Sequence, residues 1–283
     1  MRRSFLAAAV QLCAGTDRAA NLARAEDLTR QAVRGGAELV VLPEVFAWRG
    51  PRDEEPRQGE PSGGPTVTWL RGLARELGIH LVGGSFLERV GRGARFYNTS
   101  LVIGPSGRIL SSYRKIHLFD VDLPGAVTVK ESDTRRPGRA PVVAHTALAD
   151  LGLSVCYDLR FPELYRKLTM AGATVLLVPS AFTAFTGRAH WETLLRARAI
   201  ENQCFVVAAN QTGVGPTGAC WGHSMIVDPW GTILDALGDE PGVALARIEP
   251  DELARVRRSL PALDHVRLVK RSETGGRAKG RRG

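Results

Sequence analysis

Three polar residues stand where apolar segments of the sequence end: Glu44 follows LVVLP, Lys115 follows ILSSYR and Cys156 follows LGLSV. Side chains at the carboxyl ends of strands in an α/β sheet are held rigidly beside a crevice, where sites form. A carboxylate there can act as a general base, a thiol as a nucleophile, and an ammonium as the partner of a developing oxyanion. Together the three residue types indicate attack of a thiol on a carbonyl carbon.

Each of these residues, taken singly, has a simpler interpretation. A lone cysteine at the end of a strand is more often a small core residue than a nucleophile. A glutamate after an apolar run can cap a helix or form an ion pair, and a lysine at a strand end usually keeps its charged head in solvent. The sequence around each residue has to decide between these interpretations.

The elements that position these residues begin with the order strand, helix, strand. Residues 5–10 form an apolar run, a helix follows the candidate N-cap Asp17 and ends at Gly35, and AELVVLPE is a buried strand that stops at Pro43. This order is typical of an α/β protein. The remaining predicted elements are helices over 67–77, over 190–200 and after Pro162, strands over 79–86, 96–104, 108–115, 151–158, 173–182, 204–210 and 242–250, and a hairpin over 223–237.

Two long polar segments, residues 50–65 and 117–140, are predicted as loops, and loops of this length often carry function. No internal repeat and no composition break divides the chain. We therefore expect a single domain over residues 1–266, followed by a separate tail over residues 267–283.

The tail explains most of the net charge. It holds seven Lys or Arg residues and one Glu, so +6 of the formal +9 lies within residues 267–283. A Gly-rich basic tail is typically disordered, and nucleic-acid binding through it would show a strong salt dependence. We expect no nucleic-acid partner.

The cysteines and the amino terminus favour a cytoplasmic protein without a metal. Cys13, Cys156, Cys204 and Cys220 are scattered, with no C-x-x-C pair and no histidine at metal-ligand spacing. So few thiols in a chain of this length favour a reducing compartment. The apolar run at residues 5–10 is shorter than the core of a secretion signal, and no segment approaches the ~20 apolar residues of a membrane span. We expect no membrane partner.

Several longer segments resemble the nitrilase superfamily, the carbon–nitrogen hydrolases. VVLPEVF, YRKIHLFDVDLPG and GLSVCYDLRFPEL are similar to the three signature segments of that family and occur in its order. GRAHWETLLRARAIENQCFVVAANQ and GHSMIVDPWGTIL also resemble it, and the similarity extends to about Pro261. The resemblance implies a four-layer αββα sandwich of the α/β class and a homodimer or higher homo-oligomer that pairs through its helical layers.

The resemblance also implies roles for individual residues. Cys156 would be the nucleophile that forms a thioester, and Glu44 would be the general base. Lys115 would stabilise the oxyanion together with the backbone N–H of Tyr157. Glu131, in VKESD, would orient Lys115 or help to position the substrate amide.

Residues around the nucleophile supply further expectations. We expect the side chains of Tyr157 and Phe182 to contact the substrate. Asp158, Arg160 and Glu163 are expected to form a buried polar brace that shapes the turn after the cysteine.

Three other residues leave alternatives open. Arg188 in GRAHW stands where the family usually has proline, so it can either pair with a substrate carboxylate or point to solvent. His190 and His223 could each form a Cys–His pair, but the Glu, Lys and Cys set already supplies a base and an oxyanion partner.

The segments CYDLRFPEL, HLFDVDLPG and KES resemble the small-amide branch of the family, the omega-amidases of 2-oxo acid amides and the deaminated-glutathione amidases. This implies hydrolysis of a small carboxylate-bearing amide to an acid and ammonia or an amine, without a cofactor. The alternatives are an N-carbamoyl-amine hydrolase, another aliphatic amidase, or a non-catalytic member that binds a metabolite or a protein. Retention of all three reactive residues disfavours the last.

Overall fold

The fold consists of two main β-sheets covered by helices, and the computed structural model describes residues 3–91, 93, 95–123 and 127–268. The strands are β1 (Phe5–Gln11), β2 (Ala37–Val41), β3 (His80–Val82), β4 (Phe86–Glu88), β5 (Phe96–Ile103), β6 (Ile109–Arg114), β7 (Asp120–Leu123), β8 (Val127–Lys130), β9 (Arg135–Arg136), β10 (Val143–His145), β11 (Asp150–Leu153), β12 (Val175–Leu177), β13 (Phe205–Ala208), β14 (Thr212–Gly215), β15 (Gly218–Trp221), β16 (Met225–Val227), β17 (Ile233–Ala236) and β18 (Gly242–Ile248). The helices are α1 (Arg18–Arg34), α2 (Glu55–Gln58), α3 (Pro65–Leu77), α4 (Pro162–Met170), α5 (Ala184–Asn202) and α6 (Pro250–Ser259), with 3₁₀ turns at Glu131–Asp133 and Cys156–Arg160.

Strand order explains why one edge of the molecule collects the reactive residues. The first sheet runs β18-β1-β2-β3-β5-β4, with β6 and β9 also paired to β5, and the second runs β10-β11-β12-β13-β16-β17. Strands β2 and β3 are parallel, and β6 runs in the same direction because it is antiparallel to β5, which is antiparallel to β3. Strands β11, β12 and β13 are parallel in the second sheet. The segments that follow β2, β6, β11 and β12 leave the sheets at their carboxyl ends.

Side-chain alternation along the strands divides the core in two. In β1, Ala7 and Ala9 pack between the two sheets, whereas Ala8 and Val10 pack under helices α1 and α3. Helices α4 and α5 cover the outer face of the second sheet. Strands that are buried on both faces have continuous apolar sequences. The sequences of β1 and β2 are apolar for this reason. The order helix, sheet, sheet, helix confirms the predicted four-layer α/β sandwich.

Several predicted elements differ from the structure. The strand predicted over 151–158 ends at Leu153 and is followed by the 3₁₀ turn Cys156–Arg160, and the predicted loop over 50–65 contains the short helix α2. The strand predicted over 79–86 is two strands, β3 and β4, because Gly83 and Gly84 turn the chain between them, with Gly84 at a φ of 47°. The predicted loop over 117–140 contains the β7–β8 hairpin and β9. The helix predicted over 190–200 begins six residues earlier, at Ala184, so His190 does not begin it.

Other elements had no predicted counterpart. Strand β10, the β14–β15 hairpin and helix α6 were not predicted, because each has a short or weak apolar pattern. The predicted disorder of residues 267–283 concerns a segment that, apart from its first two residues, lies outside the described residues.

Candidate active site

Glu44 lies three residues beyond the end of strand β2 and is almost fully buried, with 4% of its surface exposed. Its Oε1 accepts a hydrogen bond from Asn98 Nδ2 at 2.7 Å, and its Oε2 accepts one from the backbone N–H of Ala181 at 2.9 Å. Its backbone carbonyl accepts a bond from Gln211 Nε2 at 2.9 Å. A Cβ on Gly84 would lie 2.0 Å from the carbonyl oxygen of the residue before Glu44, so only glycine permits this approach. The carboxylate is therefore fixed by contacts from both sheets.

Lys115 lies directly after strand β6, and its side chain is 2% exposed. Its backbone N–H donates to the Asn98 carbonyl at 2.9 Å, and its own carbonyl accepts from Gly138 at 2.7 Å. Its Nζ donates to Glu44 Oε1 at 3.0 Å and to Glu131 Oε2 at 2.9 Å. The ammonium is thus held between two buried carboxylates.

Glu131 continues a buried row of alternating charges. Besides Lys115, it accepts hydrogen bonds from Arg135 Nη1 at 2.5 Å and from the backbone N–H of Phe119 at 2.7 Å. Arg135 in turn donates to Glu55 Oε1 at 2.6 Å. We call the row Glu44, Lys115, Glu131, Arg135 and Glu55 the ion chain. Its members are buried or nearly so, and each cation stands between two carboxylates.

Charge pairing in the ion chain sets the protonation states of its central members. Burial on its own would lower the pKa of Lys115, but the carboxylates of Glu131 and Glu44 outweigh it and the pKa is raised above its ordinary value. Burial would raise the pKa of Glu131, but the cations of Lys115 and Arg135 outweigh it and hold the pKa well below its usual range. Both groups are therefore ionised at neutral pH.

Cys156 begins the 3₁₀ turn that follows strand β11, and its backbone takes a φ of 51°. A non-glycine residue there costs about 1–3 kcal/mol and persists only where its surroundings impose it. Its backbone N–H donates to the Pro179 carbonyl at 2.8 Å, which ties it to the end of strand β12. Burial, and then the Glu44 carboxylate, raise the pKa of the Cys156 thiol well above its ordinary value, and the Lys115 ammonium only partly opposes them. The thiol is therefore protonated at rest.

Asp158 forms the centre of the polar brace predicted after the cysteine. It is fully buried and accepts hydrogen bonds from Tyr113 Oη at 2.7 Å, Val155 N at 2.9 Å and His117 N at 3.0 Å. The other two predicted members do not join it: Glu163 is exposed on α4, where a carboxylate in the first helical turn faces solvent. Arg160 is half-buried and lies elsewhere, beside a pocket.

Two neighbouring cavities share Cys156 in their lining. The larger has a volume of about 130 Å³ and includes all five residues of the ion chain. The smaller is lined by Tyr157 and Phe182, the two predicted substrate contacts, together with Phe119, Arg160, Ala181, Thr183 and Thr186. The Arg160 guanidinium carbon lies 5.1 Å from the centre of the Phe182 ring and 5.8 Å from that of Tyr157. The structure thus brings the predicted residues to one place.

The residues with open alternatives lie outside both cavities. Arg188 is exposed on α5, so it points to solvent. His190 is also exposed, and its Nδ1 lies 3.2 Å from Arg160 Nη1. His223 stacks on Trp221, with ring centres 4.3 Å apart. Neither histidine lines a cavity with the thiol.

Four residues of the site were not predicted: Asn98, Arg135, Glu55 and Arg49. Asn98 holds Glu44, Arg135 and Glu55 complete the ion chain, and Arg49 lines the larger cavity. The signal for Asn98 was a polar residue inside the apolar strand FYNTSLVI. Glu55 and Arg49 flank or occupy the polar segment at 50–65, but nothing local in the sequence connects them to Cys156.

The described residues contain neither a candidate membrane-spanning helix nor a candidate metal site. No helix in residues 3–91, 93, 95–123 and 127–268 is long and apolar enough to cross a membrane. In the same part of the chain no group of three or more His, Cys, Asp or Glu side chains could hold a metal ion.

The four-layer sandwich, with a carboxylate, an ammonium and a thiol buried at one edge, matches the hydrolase class that the sequence resembles. The family model of carbon–nitrogen hydrolases matches residues 6–258, and the chain belongs to that family. A deaminated glutathione amidase of Synechocystis sp. is 46% identical over 267 residues, which are 93% of this chain and 98% of that protein. An omega-amidase of Mus musculus is 39% identical over 265 residues, covering 93% and 95%.

A solved structure agrees with these relatives. The NitFhit protein of C. elegans has a TM-score of 0.88 and 38% identity, over 94% of this chain and 65% of that chain. The protein is therefore an enzyme, a carbon–nitrogen hydrolase of the amidase kind.

Proposed function

We propose that the protein hydrolyses a small amide whose acyl group carries a carboxylate, with Cys156 as the nucleophile. The observation that carries the proposal is the arrangement of Glu44, Lys115 and Glu131, which are bonded to one another and line the same cavity as the thiol. A base, an oxyanion partner and a nucleophile in one cavity are what acyl transfer requires.

The first half of the reaction forms a thioester. Glu44 takes the proton of the Cys156 thiol as sulfur bonds to the amide carbon, and the carbonyl oxygen becomes an oxyanion. Lys115 Nζ and the backbone N–H of Tyr157 stabilise that oxyanion, since Tyr157 stands in the first turn of the 3₁₀ segment, where N–H groups lack partners within the turn. Glu44 then gives its proton to the leaving nitrogen, and ammonia or an amine departs.

The second half consumes water. Glu44 removes a proton from the water as its oxygen bonds to the thioester carbon, and the same two donors hold the oxyanion. The carbon–sulfur bond breaks, and sulfur recovers the proton from Glu44. Glu131 acts throughout as a positioning residue, because it holds Lys115 from the side opposite Glu44.

The smaller cavity supports a carboxylate on the acyl group. Arg160 lines it beside Cys156, between the rings of Tyr157 and Phe182, and no carboxylate of the described residues lies within ion-pair distance of it. A guanidinium without a carboxylate partner favours a bidentate contact with a substrate carboxylate. Relatives named for deaminated glutathione and for omega-amides favour the same class, so 2-oxo acid amides are the substrates that we propose.

The test measures the release of ammonia or amine from a panel of compounds by the wild type, by Cys156→Ala and by the matched control Cys13→Ala. The panel contains 2-oxoglutaramate, deaminated glutathione, a simple aliphatic amide, an N-carbamoyl amino acid and a nitrile. We expect turnover of the 2-oxo acid amides, abolished in Cys156→Ala and retained in Cys13→Ala, whose thiol lines neither cavity. Turnover that survives Cys156→Ala overturns the mechanism, and turnover confined to the carbamoyl compound or the nitrile overturns the substrate class.

We further propose one catalytic domain over residues 1–266, a homodimer and a cytoplasmic location. Phe185 and Ile200 of helix α5 and the neighbouring Trp230 are 64%, 49% and 56% exposed, and this apolar surface supports pairing through the helical layer. All four cysteines are free, which supports a reducing compartment. Light scattering should give twice the 30.6 kDa chain mass, and Ile200→Glu should halve it.

A further inference from the structure

The larger cavity contains a buried arginine that the proposed mechanism does not use. Arg49 is 8% exposed and lines the cavity wall beside the turn of the β14–β15 hairpin. Its Nη2 donates to the Gly218 carbonyl at 2.9 Å, whereas its Nη1 is buried without a hydrogen-bond partner. Isolated charges and unpaired donors are costly to bury, so this guanidinium requires an explanation.

No charged side chain of the described residues forms a direct ion pair with Arg49. Lys115 and Arg135 line the same cavity, but each is held between two carboxylates of the ion chain, and no carboxylate within the described ranges forms an ion pair with Arg49. The nearby thiol of Cys220 does not supply a charge either, because burial raises its pKa to about 11. Arg49 is therefore a buried cation that no carboxylate of the described residues contacts directly, and only the net charge of −1 on the ion chain opposes it across the same wall.

Arg52 strengthens the positive charge of the same wall. It is half-buried, lines the larger cavity and donates through Nη1 to the Lys130 carbonyl at 2.6 Å. No ion pair joins it to a carboxylate in the part of the chain that the structure describes. The ion chain has three carboxylates and two cations, so Arg49 and Arg52 turn the charge of the cavity wall from −1 to +1.

Cys156 lines both cavities, so an amide bound at its sulfur can place its acyl half in one cavity and its amine half in the other. Both are lined by Cys156, Phe119, Ala181 and Thr183, but Arg160 lines only the smaller and Arg49 only the larger. An amide carbon placed on the sulfur directs its acyl group into one cavity and its amine into the other. The larger volume, about 130 Å³ against about 20 Å³, suits the bulkier half.

We propose that Arg49, with Arg52 beside it, binds a carboxylate on the amine half of the substrate. The substrate would then carry a carboxylate on each half, as does an amide between a dicarboxylic acid and an amino acid or short peptide. This inference rests on the proposed function and makes it narrower, because a primary amide, which releases ammonia, leaves Arg49 unused.

The experiment compares two forms of one substrate. The first is deaminated glutathione, and the second is the same compound with its terminal carboxylate replaced by a neutral carboxamide. For the wild type we expect kcat/KM to be about 10- to 100-fold higher for the carboxylate form, which is the range of a charge-assisted contact. Release of the dipeptide amine, measured by chromatography, gives both rates.

The variants assign that preference to one residue. In Arg49→Gln we expect the ratio of the two kcat/KM values to fall to near 1, mainly through a higher KM for the carboxylate form. Arg49→Lys keeps the charge without the planar fork and should show an intermediate ratio. Arg188→Gln removes an exposed arginine outside both cavities and should retain the wild-type ratio.

The outcomes separate this inference from the proposed function. Equal rates for the two forms in the wild type, or a ratio that survives in folded Arg49→Gln, overturn the Arg49 inference and leave the amidase assignment intact. Should Arg49→Gln fail to fold, a wild-type ratio in Arg49→Lys overturns the inference equally. Failure of the wild type to hydrolyse 2-oxoglutaramate and both peptide forms overturns the proposed function, and the Arg49 inference with it.

Discussion

Replacing Glu131 by glutamine tests whether the ion chain positions Lys115. Glu131 accepts hydrogen bonds from Lys115, Arg135 and the backbone N–H of Phe119, and glutamine would leave two buried cations with one carboxylate fewer. Breaking a buried ion pair from one side costs about 3–5 kcal/mol of the free energy of unfolding. For a chain of this size each kcal/mol lowers Tm by about 2–4 °C, so we expect a fall of about 6–20 °C.

Activity should fall as well, because Lys115 loses one of the two carboxylates that hold its Nζ. A displacement of about 1 Å in a catalytic group costs about 10²-fold, and loss of one oxyanion donor costs about 10²- to 10³-fold. We therefore expect kcat to fall by about 10²- to 10³-fold, while KM changes little. Ammonia release from 2-oxoglutaramate measures both constants, and Glu163→Gln, at an exposed glutamate, serves as the matched control.

The same substitution has a pH signature. The pKa of Glu131 is held below its ordinary value in the folded protein, so its contribution to stability is complete above the pKa of the unfolded chain. That contribution is lost as the pH falls through the lowered pKa of the folded state. The gap in unfolding free energy between wild type and Glu131→Gln should thus narrow below about pH 4. An unchanged Tm together with a kcat within threefold of wild type would refute the positioning role.

Three further substitutions test the residues that surround Cys156 and hold the adjoining segments in place. Glu44→Gln removes a negative neighbour, so the pH midpoint for iodoacetamide labelling of Cys156 should move down while kcat falls about 10²- to 10⁴-fold; an unmoved midpoint contradicts this. Asp158→Ala leaves several buried donors unpaired and should lower the unfolding free energy by about 3 kcal/mol or more in urea titration; a loss below about 1 kcal/mol would count against the brace. Gly84→Ala places a Cβ 2.0 Å from a backbone oxygen and should cost more than Gly91→Ala, which also has a positive φ but meets nothing within 4 Å; equal Tm values would show that the contact is unimportant.

The sequence was sufficient to nominate Glu44, Lys115 and Cys156 as site residues, because the segments around them resemble the signature segments of the family. Glu44, Lys115 and Cys156 each follow an apolar run, and a parallel arrangement of those runs brings them to one edge. The partners of these residues are not local. Arg135 pairs with Glu55 across 80 positions, and Asn98 reaches Glu44 across 54, so only the folded chain connects them.

The early start of helix α5 shows a different reason for error. Gly187 lies inside the helix, and glycine in a helix interior is unfavourable by about 1 kcal/mol, so the pattern favoured a later start. The structure requires glycine at position 187 because a Cβ on Gly187 would lie 2.3 Å from Trp221 Cβ. Close packing between distant segments therefore outweighs local propensity, and sequence periodicity does not contain that information.

The protonated thiol is consistent with the chemistry of an amide rather than opposed to it. An amide nitrogen leaves only if it receives a proton, and a thiol that is protonated at rest brings that proton into the site. Because burial and Glu44 keep the pKa of Cys156 high, in the proposed mechanism the proton would pass to Glu44 only as sulfur attacks. It is then held on a buried carboxylate beside the leaving nitrogen. Lys115 stays cationic at neutral pH, since Glu131 and Glu44 raise its pKa, so the proposed oxyanion would form beside a positive charge. In the proposed mechanism the ion chain would thus separate the two tasks: Glu44 would move the proton, and Lys115, held by Glu131, would not.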